Sequence, residues 1–168
     1  MNTMLARAAV VAASTAIAAV GLASPAAAQS WTYTFQGDEA VCPFPLVVSG
    51  SGVDRAPREF RDKDGNLVRF LSAGKGQELT FANAITGDTF STPANGAVTR
   101  TNYYPDGSST AVLTGHNVVL LYRSDMGGPS ATLYIGQVVV TIDTDGRWTV
   151  VKESGRTVDL CAEVSSTR

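Results

Sequence analysis

The sequence predicts an all-β chain in which short antiparallel strands follow one another as a meander. Apolar residues recur at a spacing of two, turn residues rich in glycine separate these runs, and no segment after residue 28 has a sustained helical pattern. We expect about nine to eleven strands in a single domain. These strands are predicted to close into a β-barrel, with a two-sheet β-sandwich as the alternative.

The stretch 117–151 is predicted to form the centre of this fold. Apolar side chains occupy both faces of residues 118–123 and of residues 131–143, so each segment is interpreted as a strand covered on both sides. We expect the two strands to form a hairpin through residues 125–130. Gly136, inside the second strand, is a position where that strand can bend.

The turn that begins at Asp143 predicts the register of the next hairpin. In Asp-Thr-Asp-Gly-Arg, Thr and Asp suit a type I turn and Gly146 suits the left-handed position after it, which defines a hairpin with a G1 bulge. This turn pairs Ile142 with Trp148. A slip of one residue would move Trp148 to the wrong face, so the register is expected to be well determined.

Two further segments repeat this turn chemistry. Asp-Lys-Asp-Gly-Asn at 62–66 predicts a hairpin that pairs Phe60 with Val68, and Gly65 is expected to have a positive φ as Gly146 does. Pro-Asp-Gly at 105–107 predicts another hairpin, in which proline fixes the first turn residue.

Residues 1–28 are predicted to be a cleaved secretory signal peptide, because one cation, Arg7, precedes an Ala/Val-rich run at 8–23, and the small residues 26–28 follow as a cleavage site. The run is too short and too weakly apolar for a membrane span, so no integral membrane segment is expected after cleavage. Residues 29–168 are expected to form one domain, secreted to the medium or the cell envelope. They hold 12 Lys and Arg against 15 Asp and Glu, a balance that predicts no nucleic-acid partner.

Cys42 and Cys161 are the two cysteines of the chain, and their even number in a secreted protein predicts a disulfide. A bond that closes nearly the whole domain is worth about 4 to 5 kcal/mol in the chain-entropy description. It would place the early strands beside the last one. A barrel requires that arrangement, and a sandwich permits it.

An aromatic stripe on the first predicted strand is the candidate ligand site. Trp31, Tyr33 and Phe35 alternate with threonines and therefore share one face. Tyr122 and Tyr134, on the two central strands, can face the same interior. These five side chains either fill the core, as the largest apolar groups of a single domain usually do, or line an interior that binds a small apolar ligand.

The chemical motifs of the sequence predict no cofactor and no metal site. The Asp-x-Asp pairs at 62–64 and 143–145 lack the glycine and glutamate spacing of a calcium loop. His116 is the only histidine, and both cysteines are expected in the disulfide, which leaves zinc only acidic partners. No nucleophile elbow and no phosphate-binding loop is present. A catalytic group built around His116 and acidic residues is the alternative left open.

Two short segments of the second half form a recognisable pattern. Thr-Gly-His-Asn at 114–117 precedes an apolar strand, and Gly-Arg-Thr-Val-Asp-Leu-Cys-Ala occupies 155–162. These segments are similar to those of small secreted actinobacterial proteins of uncharacterised function that end in Gly-Arg-x-Val-Asp-Leu-Cys. The resemblance implies secretion and an all-β fold, and it assigns no active site.

Two classes of function follow from these observations. The first is a secreted non-catalytic protein, either a barrel that binds a small apolar ligand or an envelope-associated interaction module. The second is a small extracellular enzyme, a hydrolase or isomerase, that uses His116 and acidic residues. The lack of a base-nucleophile motif in the sequence favours the first class.

Overall fold

Strands make up most of the chain that the structure describes. The computed structural model describes residues 30–52 and 54–165, and the predicted signal peptide lies outside them. The described residues contain ten strands: β1 (Ser30–Phe35), β2 (Leu46–Ser51), β3 (Asp54–Arg61), β4 (Leu67–Lys75), β5 (Glu78–Asn83), β6 (Thr89–Thr92), β7 (Gly96–Tyr103), β8 (Ser109–Leu121), β9 (Ser130–Ile142) and β10 (Trp148–Asp159). Their helical segments are a 3₁₀ turn, Gly37–Glu39, and one α-helical turn, α1 (Leu160–Glu163). Neither of these helices is long and apolar enough to cross a membrane.

The ten strands form two antiparallel sheets. The four-stranded sheet has the order β1-β2-β5-β6, and the six-stranded sheet has the order β10-β9-β8-β7-β4-β3. The predicted all-β, antiparallel architecture is therefore confirmed. Closure into one barrel is not confirmed, because the hydrogen-bonded ladders of the described strands divide into two sheets instead of forming one ring.

The central strands β8 and β9 carry apolar side chains on both faces, as predicted, and each face belongs to a different core. One face meets the four-stranded sheet in the first core. The buried members of the first core are Phe35, Val41, Cys42, Leu46, Val48, Phe81, Ala131, Leu133, Leu160 and Val164. The opposite face carries the second core. Its buried members are Val119, Leu121, Tyr134, Val138 and Val140. Burial of each large apolar side chain contributes about 1.5 to 3 kcal/mol, so the hairpin that supplies both cores organises the domain.

The predicted disulfide between Cys42 and Cys161 is present, with the two Cα atoms 5.5 Å apart across a sequence separation of 119 residues. Cys42 lies in the loop before β2, and Cys161 lies in α1, directly after β10. Asp159 caps α1 by accepting a hydrogen bond from the Ala162 N–H. The disulfide therefore ties the end of the six-stranded sheet to the start of the four-stranded one.

The turn between β9 and β10 has the predicted geometry. The Gly146 N–H donates to the Asp143 carbonyl, and the Asp143 N–H donates to the Arg147 carbonyl, both at 3.0 Å. Gly146 has a φ of 76°. Trp148 pairs with Ile142, which confirms the predicted register.

The hairpin of β3 and β4 has the same turn, but its register differs from the prediction. Gly65 has the expected positive φ, 86°. Phe60, however, pairs with Arg69, because the ladder shifts between Phe60 and Arg61 and leaves Val68 as the extra residue of a bulge. The predicted pairing of Phe60 with Val68 is therefore wrong by one residue. Residues 57–61 are all exposed, so burial does not oppose the shift.

A row of glycines crosses the six-stranded sheet. Gly155 on β10 pairs with Gly136 on β9, which in turn pairs with Gly115 on β8. All three have positive φ, and a Cβ at any of them would lie 2.2 to 2.3 Å from a backbone oxygen of the adjacent strand. Only glycine fits such positions. β8 runs through Gly115 without interruption, so it begins well before the strand that the sequence predicts at 118–123.

Candidate functional site

Trp31, Tyr33 and Phe35 form an aromatic strip on one face of β1, an edge strand of the four-stranded sheet. Phe35 is buried in the first core, at 8% exposure. Tyr33 and Trp31 are 44% and 40% exposed. The strip therefore runs from the core into solvent, and two of its three rings lie outside the interior that the sequence predicts for them.

Trp31 lies over a glycine of the neighbouring strand. Gly50 pairs with Trp31, and a Cβ at Gly50 would come within 2.7 Å of the indole ring. The indole Nε1–H donates to the Gln77 side-chain oxygen at 3.0 Å. Gly50 has no side chain and leaves room for the indole, and the hydrogen bond to Gln77 holds the edge of the ring. Together they fix the orientation of this exposed indole.

Tyr33 is held by both an acid and a neighbouring ring. Its hydroxyl donates to a carboxylate oxygen of Glu39, in the 3₁₀ turn that follows β1. This hydrogen bond is the main cause of the raised pKa of Tyr33, so the phenol stays neutral over a wider pH range. The Tyr33 ring meets the Phe35 ring edge-on, with centroids 4.7 Å apart.

Tyr122 extends the strip from the other sheet. It follows β8 and is half-buried, and its ring centroid lies 6.5 Å from that of Phe35. Buried Asp125 fixes this segment, since its two carboxylate oxygens accept hydrogen bonds from the Tyr122 N–H at 2.7 Å and from the Trp148 N–H at 2.9 Å. Tyr122 therefore lies beside the strip that three of the other four predicted site residues form.

Tyr134 lies apart from the other four predicted site residues, in the second core. It lines an open cleft of about 550 Å³ together with Met126, Val151 and Glu153. Burial, and then the nearby Glu153 carboxylate, raise the pKa of Tyr134. The structure therefore does not bring Tyr134 into one interior with the aromatic strip.

The register of β8 and β9 explains this separation. Asn117 pairs with Tyr134, and Val118 pairs with Leu133, so even-numbered residues of β8 share a face with odd-numbered residues of β9. Tyr122 and Tyr134 consequently point to opposite faces. The sequence does not reveal this, because the pairing depends on the conformation of the loop between the two strands.

His116 has no acidic neighbour in its register row. It is half-buried on β8 and pairs with Ile135, which pairs with Arg156 on β10. Within residues 30–52 and 54–165, no group of three or more His, Cys, Asp or Glu side chains could hold a metal ion. The alternative of an enzyme that uses His116 stays a hypothesis.

Gln77 and Glu39 are the two site residues that sequence reasoning missed. Each gives a polar partner to one exposed ring of the strip, Gln77 to Trp31 and Glu39 to Tyr33. Glu39 lies only six residues after Tyr33, so the short turn between them is a local signal. Gln77 is brought to Trp31 by the order of the sheet, which the sequence does not display.

No protein-family model, curated protein or solved structure matches the chain. The function is therefore inferred from the side chains themselves. The resemblance to small secreted actinobacterial proteins stays a prediction.

Proposed function

We propose that this chain is a secreted, non-catalytic binding protein that holds a small amphipathic ligand against Trp31 and Tyr33. One observation carries the proposal: each ring stays at least 40% exposed although its polar atom is already hydrogen-bonded within the protein. Rings that are fixed before binding lose little conformational entropy when a ligand stacks on them.

The two rings are more than isolated exposed side chains. Single apolar residues on a protein surface are common and need no explanation. Trp31 and Tyr33, however, stand on one face of one strand, and the Tyr33 ring contacts Phe35, which in turn lies near Tyr122. The Tyr33, Phe35 and Tyr122 rings thus lead from solvent to core, and Trp31 stands on the same face of β1, which supports a role in binding.

The polar groups beside the strip restrict the chemistry of the ligand. Its apolar part would stack on the two rings, and its polar end would reach Gln77 and Glu39. The Glu39 carboxylate would repel an anionic head group. The ligand is therefore expected to be neutral or cationic, and a cation would also be attracted to the ring faces.

The proposal places the ligand at the exposed end of the strip, outside any closed barrel, and it takes the chain as a two-sheet sandwich. Secretion is supported by the disulfide, since such bonds persist in oxidising compartments, and by the signal-peptide pattern of residues 1–28. A binding protein needs no catalytic group, which agrees with the apolar and cationic neighbours of His116.

Contact quenching of tryptophan tests the proposal directly. The probe is an alkyltrimethylammonium ion with bromine at its chain end, and a fatty acid with the same bromine serves as the anionic comparison. Trp148→Phe leaves Trp31 as the only tryptophan, and Trp31→Phe leaves Trp148. We expect saturable quenching by the cationic probe in Trp148→Phe and none in Trp31→Phe.

A third variant controls for hydrophobic contact alone. Glu39→Gln keeps the volume of the side chain and removes its charge. It should therefore weaken binding of the cationic probe and allow the fatty acid to bind. Equal quenching of both single-tryptophan proteins, or none in either, would contradict binding at the strip.

A further inference from the structure

Part of the six-stranded sheet is uncovered, on the face that contributes to the first core further along β8 and β9. We define this outer face by three register rows that cross the sheet from β3 to β10. The first row is Phe60, Arg69, Asn102, Thr110, Thr141 and Thr149; the second is Arg58, Leu71, Arg100, Val112, Val139 and Lys152; the third, from β4 onward, is Ala73, Val98, Thr114, Gln137 and Ser154. Every one of these side chains is half-buried or exposed. The described residues therefore leave this face open to a partner.

The charges on the outer face all have one sign. The three rows contain four cations and no carboxylate, although the chain as a whole has 15 acids and 13 Lys and Arg. The cations are Arg58, Arg69, Arg100 and Lys152. Two acids of the same strands lie on the opposite face, where Glu59 pairs with Phe70 and Glu153 with Val138. The three rows of the outer face thus carry positive charge alone.

The second row sets the spacing of these charges. Adjacent strands are about 4.8 Å apart, which puts Arg58 on β3 roughly 10 Å from Arg100 on β7, and Arg100 roughly 14 Å from Lys152 on β10. Arg69 lies between the first two strands and stacks on Phe60, with its guanidinium carbon 5.6 Å from the ring centroid. The cations therefore form a line across the strands instead of a single cluster.

Hydroxyl and amide side chains fill much of the remaining outer face. They are Asn102, Thr110, Thr114, Gln137, Thr141, Thr149 and Ser154. Such groups can both donate and accept hydrogen bonds, as a carbohydrate requires. Thr110 already accepts a hydrogen bond from the Tyr104 hydroxyl, at 3.3 Å.

We propose that the outer face binds a linear acidic polysaccharide, which lies across the strands with its anionic groups on Arg58, Arg100 and Lys152 and its hydroxyls on the threonines. A line of cations without carboxylates matches a regularly charged linear polyanion. The inference does not depend on ligand binding at the aromatic strip, which lies on the other sheet.

The apolar side chains of this face argue against a lipid surface as the partner. The apolar side chains of the second and third rows are leucine, valine and alanine, and they lie among polar neighbours. They form no protruding apolar wedge that would insert into a membrane. The one aromatic ring of the three rows, Phe60, has the cationic Arg69 guanidinium over its face. A polar, cationic face fits a hydrated polysaccharide better.

The first experiment measures binding of the oxidised protein to dextran sulfate by calorimetry at several salt concentrations, with uncharged dextran as the neutral comparison. Arg58→Gln combined with Arg100→Gln is expected to weaken binding about tenfold and to lower the salt slope by about 2, since each lost cation releases roughly one counterion fewer. The matched control, Arg123→Gln with Arg61→Gln, removes the same charge outside the outer face, because Arg61 pairs with Glu59 on the opposite face. It should bind as the wild type does.

The second experiment separates carbohydrate recognition from charge alone. Thr141 and Thr149 pair directly, and Thr→Val at both keeps their shape while removing two hydroxyls. This variant should bind dextran sulfate about threefold more weakly, with an unchanged salt slope. The proposal is overturned if the control arginine variant weakens equally, if the threonine variant binds unchanged, or if phosphatidylglycerol vesicles bind more tightly than dextran sulfate.

Discussion

The hairpins β9–β10 and β3–β4 begin from the same turn and end in different registers. In both, an aspartate side-chain oxygen accepts two backbone N–H groups at 2.9 Å, Asp143 in the first hairpin and Asp62 in the second. In both, the glycine that follows has positive φ. The local chemistry of the two turns is therefore equivalent.

The difference lies in what the strands bury. In β9–β10, Trp148 and Val150 pack against the second core, and the register holds until the irregularity after Val150. In β3–β4 the register shifts directly after the first pair, next to strand residues that are exposed. The comparison teaches that the turn sets the first pair, while burial holds the pairs beyond it.

The largest expected effect comes from releasing the end of the core hairpin. With Cys42 and Cys161 both replaced by alanine, we expect a loss of about 4 to 5 kcal/mol in the free energy of unfolding, because the bond closes a loop of 119 residues. Urea unfolding measures this loss. Amide exchange should accelerate strongly in β9–β10 and much less in β3–β4, if the exposed hairpin already opens locally. Equal acceleration of exchange would show that the two hairpins do not differ in local stability.

The glycine row gives the next largest effect. Gly136→Val would force a side chain to within 2.2 Å of the Ser154 carbonyl oxygen at a φ of 146°, and should destabilise the domain by about 3 kcal/mol or more. Gly65→Ala is the control in the exposed hairpin, where no atom lies within 4 Å and only the positive φ matters, at about 1 kcal/mol. Thermal melts compare the two variants. Similar melting midpoints for the two variants would show that the close approach of the strands at Gly136 adds nothing to the loss of stability.

Side-chain truncation tests the comparison most directly. Trp148→Ala removes a half-buried ring from the second core and should cost about 2 kcal/mol, below the value for a fully buried tryptophan. Phe60→Ala removes a ring that is 42% exposed on the other hairpin and should change stability by less than about 0.5 kcal/mol. Chemical denaturation of both variants measures the two changes in the free energy of unfolding. A larger loss at Phe60 would reverse the roles assigned to the two hairpins.

The sequence predicts the features that local chemistry determines. The turn glycines at 65 and 146, the register next to Trp148 and the pairing of the two cysteines each depend on a few neighbouring residues or on the cysteine count. The glycine row is different, because Gly115, Gly136 and Gly155 meet only when three strands align.

The candidate site shows the same limit. The shared face of Trp31, Tyr33 and Phe35 follows from alternation along one strand. The separation of Tyr134 depends on the pairing of β8 with β9, and the contact of Trp31 with Gln77 depends on the order of the four-stranded sheet. Long-range pairing, which no short segment encodes, therefore limits prediction of the site.

The smallest expected effect concerns the residue that follows the turn glycine, which differs between the two hairpins. Asn66 donates a side-chain hydrogen bond to Asp62 at 3.0 Å, whereas the equivalent position after Asp143 is Arg147. This bond is the main cause of the lowered pKa of Asp62, followed by the backbone N–H of Asn66. Because the folded pKa lies below the unfolded value of about 3.9, the stabilisation is present above that pH and is lost as pH falls through the folded pKa.

Asn66→Ala should raise the pKa of Asp62 toward its ordinary value and shorten this stabilised range of pH. Carboxyl-carbon NMR titration of wild type and variant measures the shift, and the carboxyl of Asp143 in the same spectra is the internal control. An unchanged titration of Asp62 would mean that the backbone N–H groups alone hold its charge. Burial would then remain the main difference between the two hairpins.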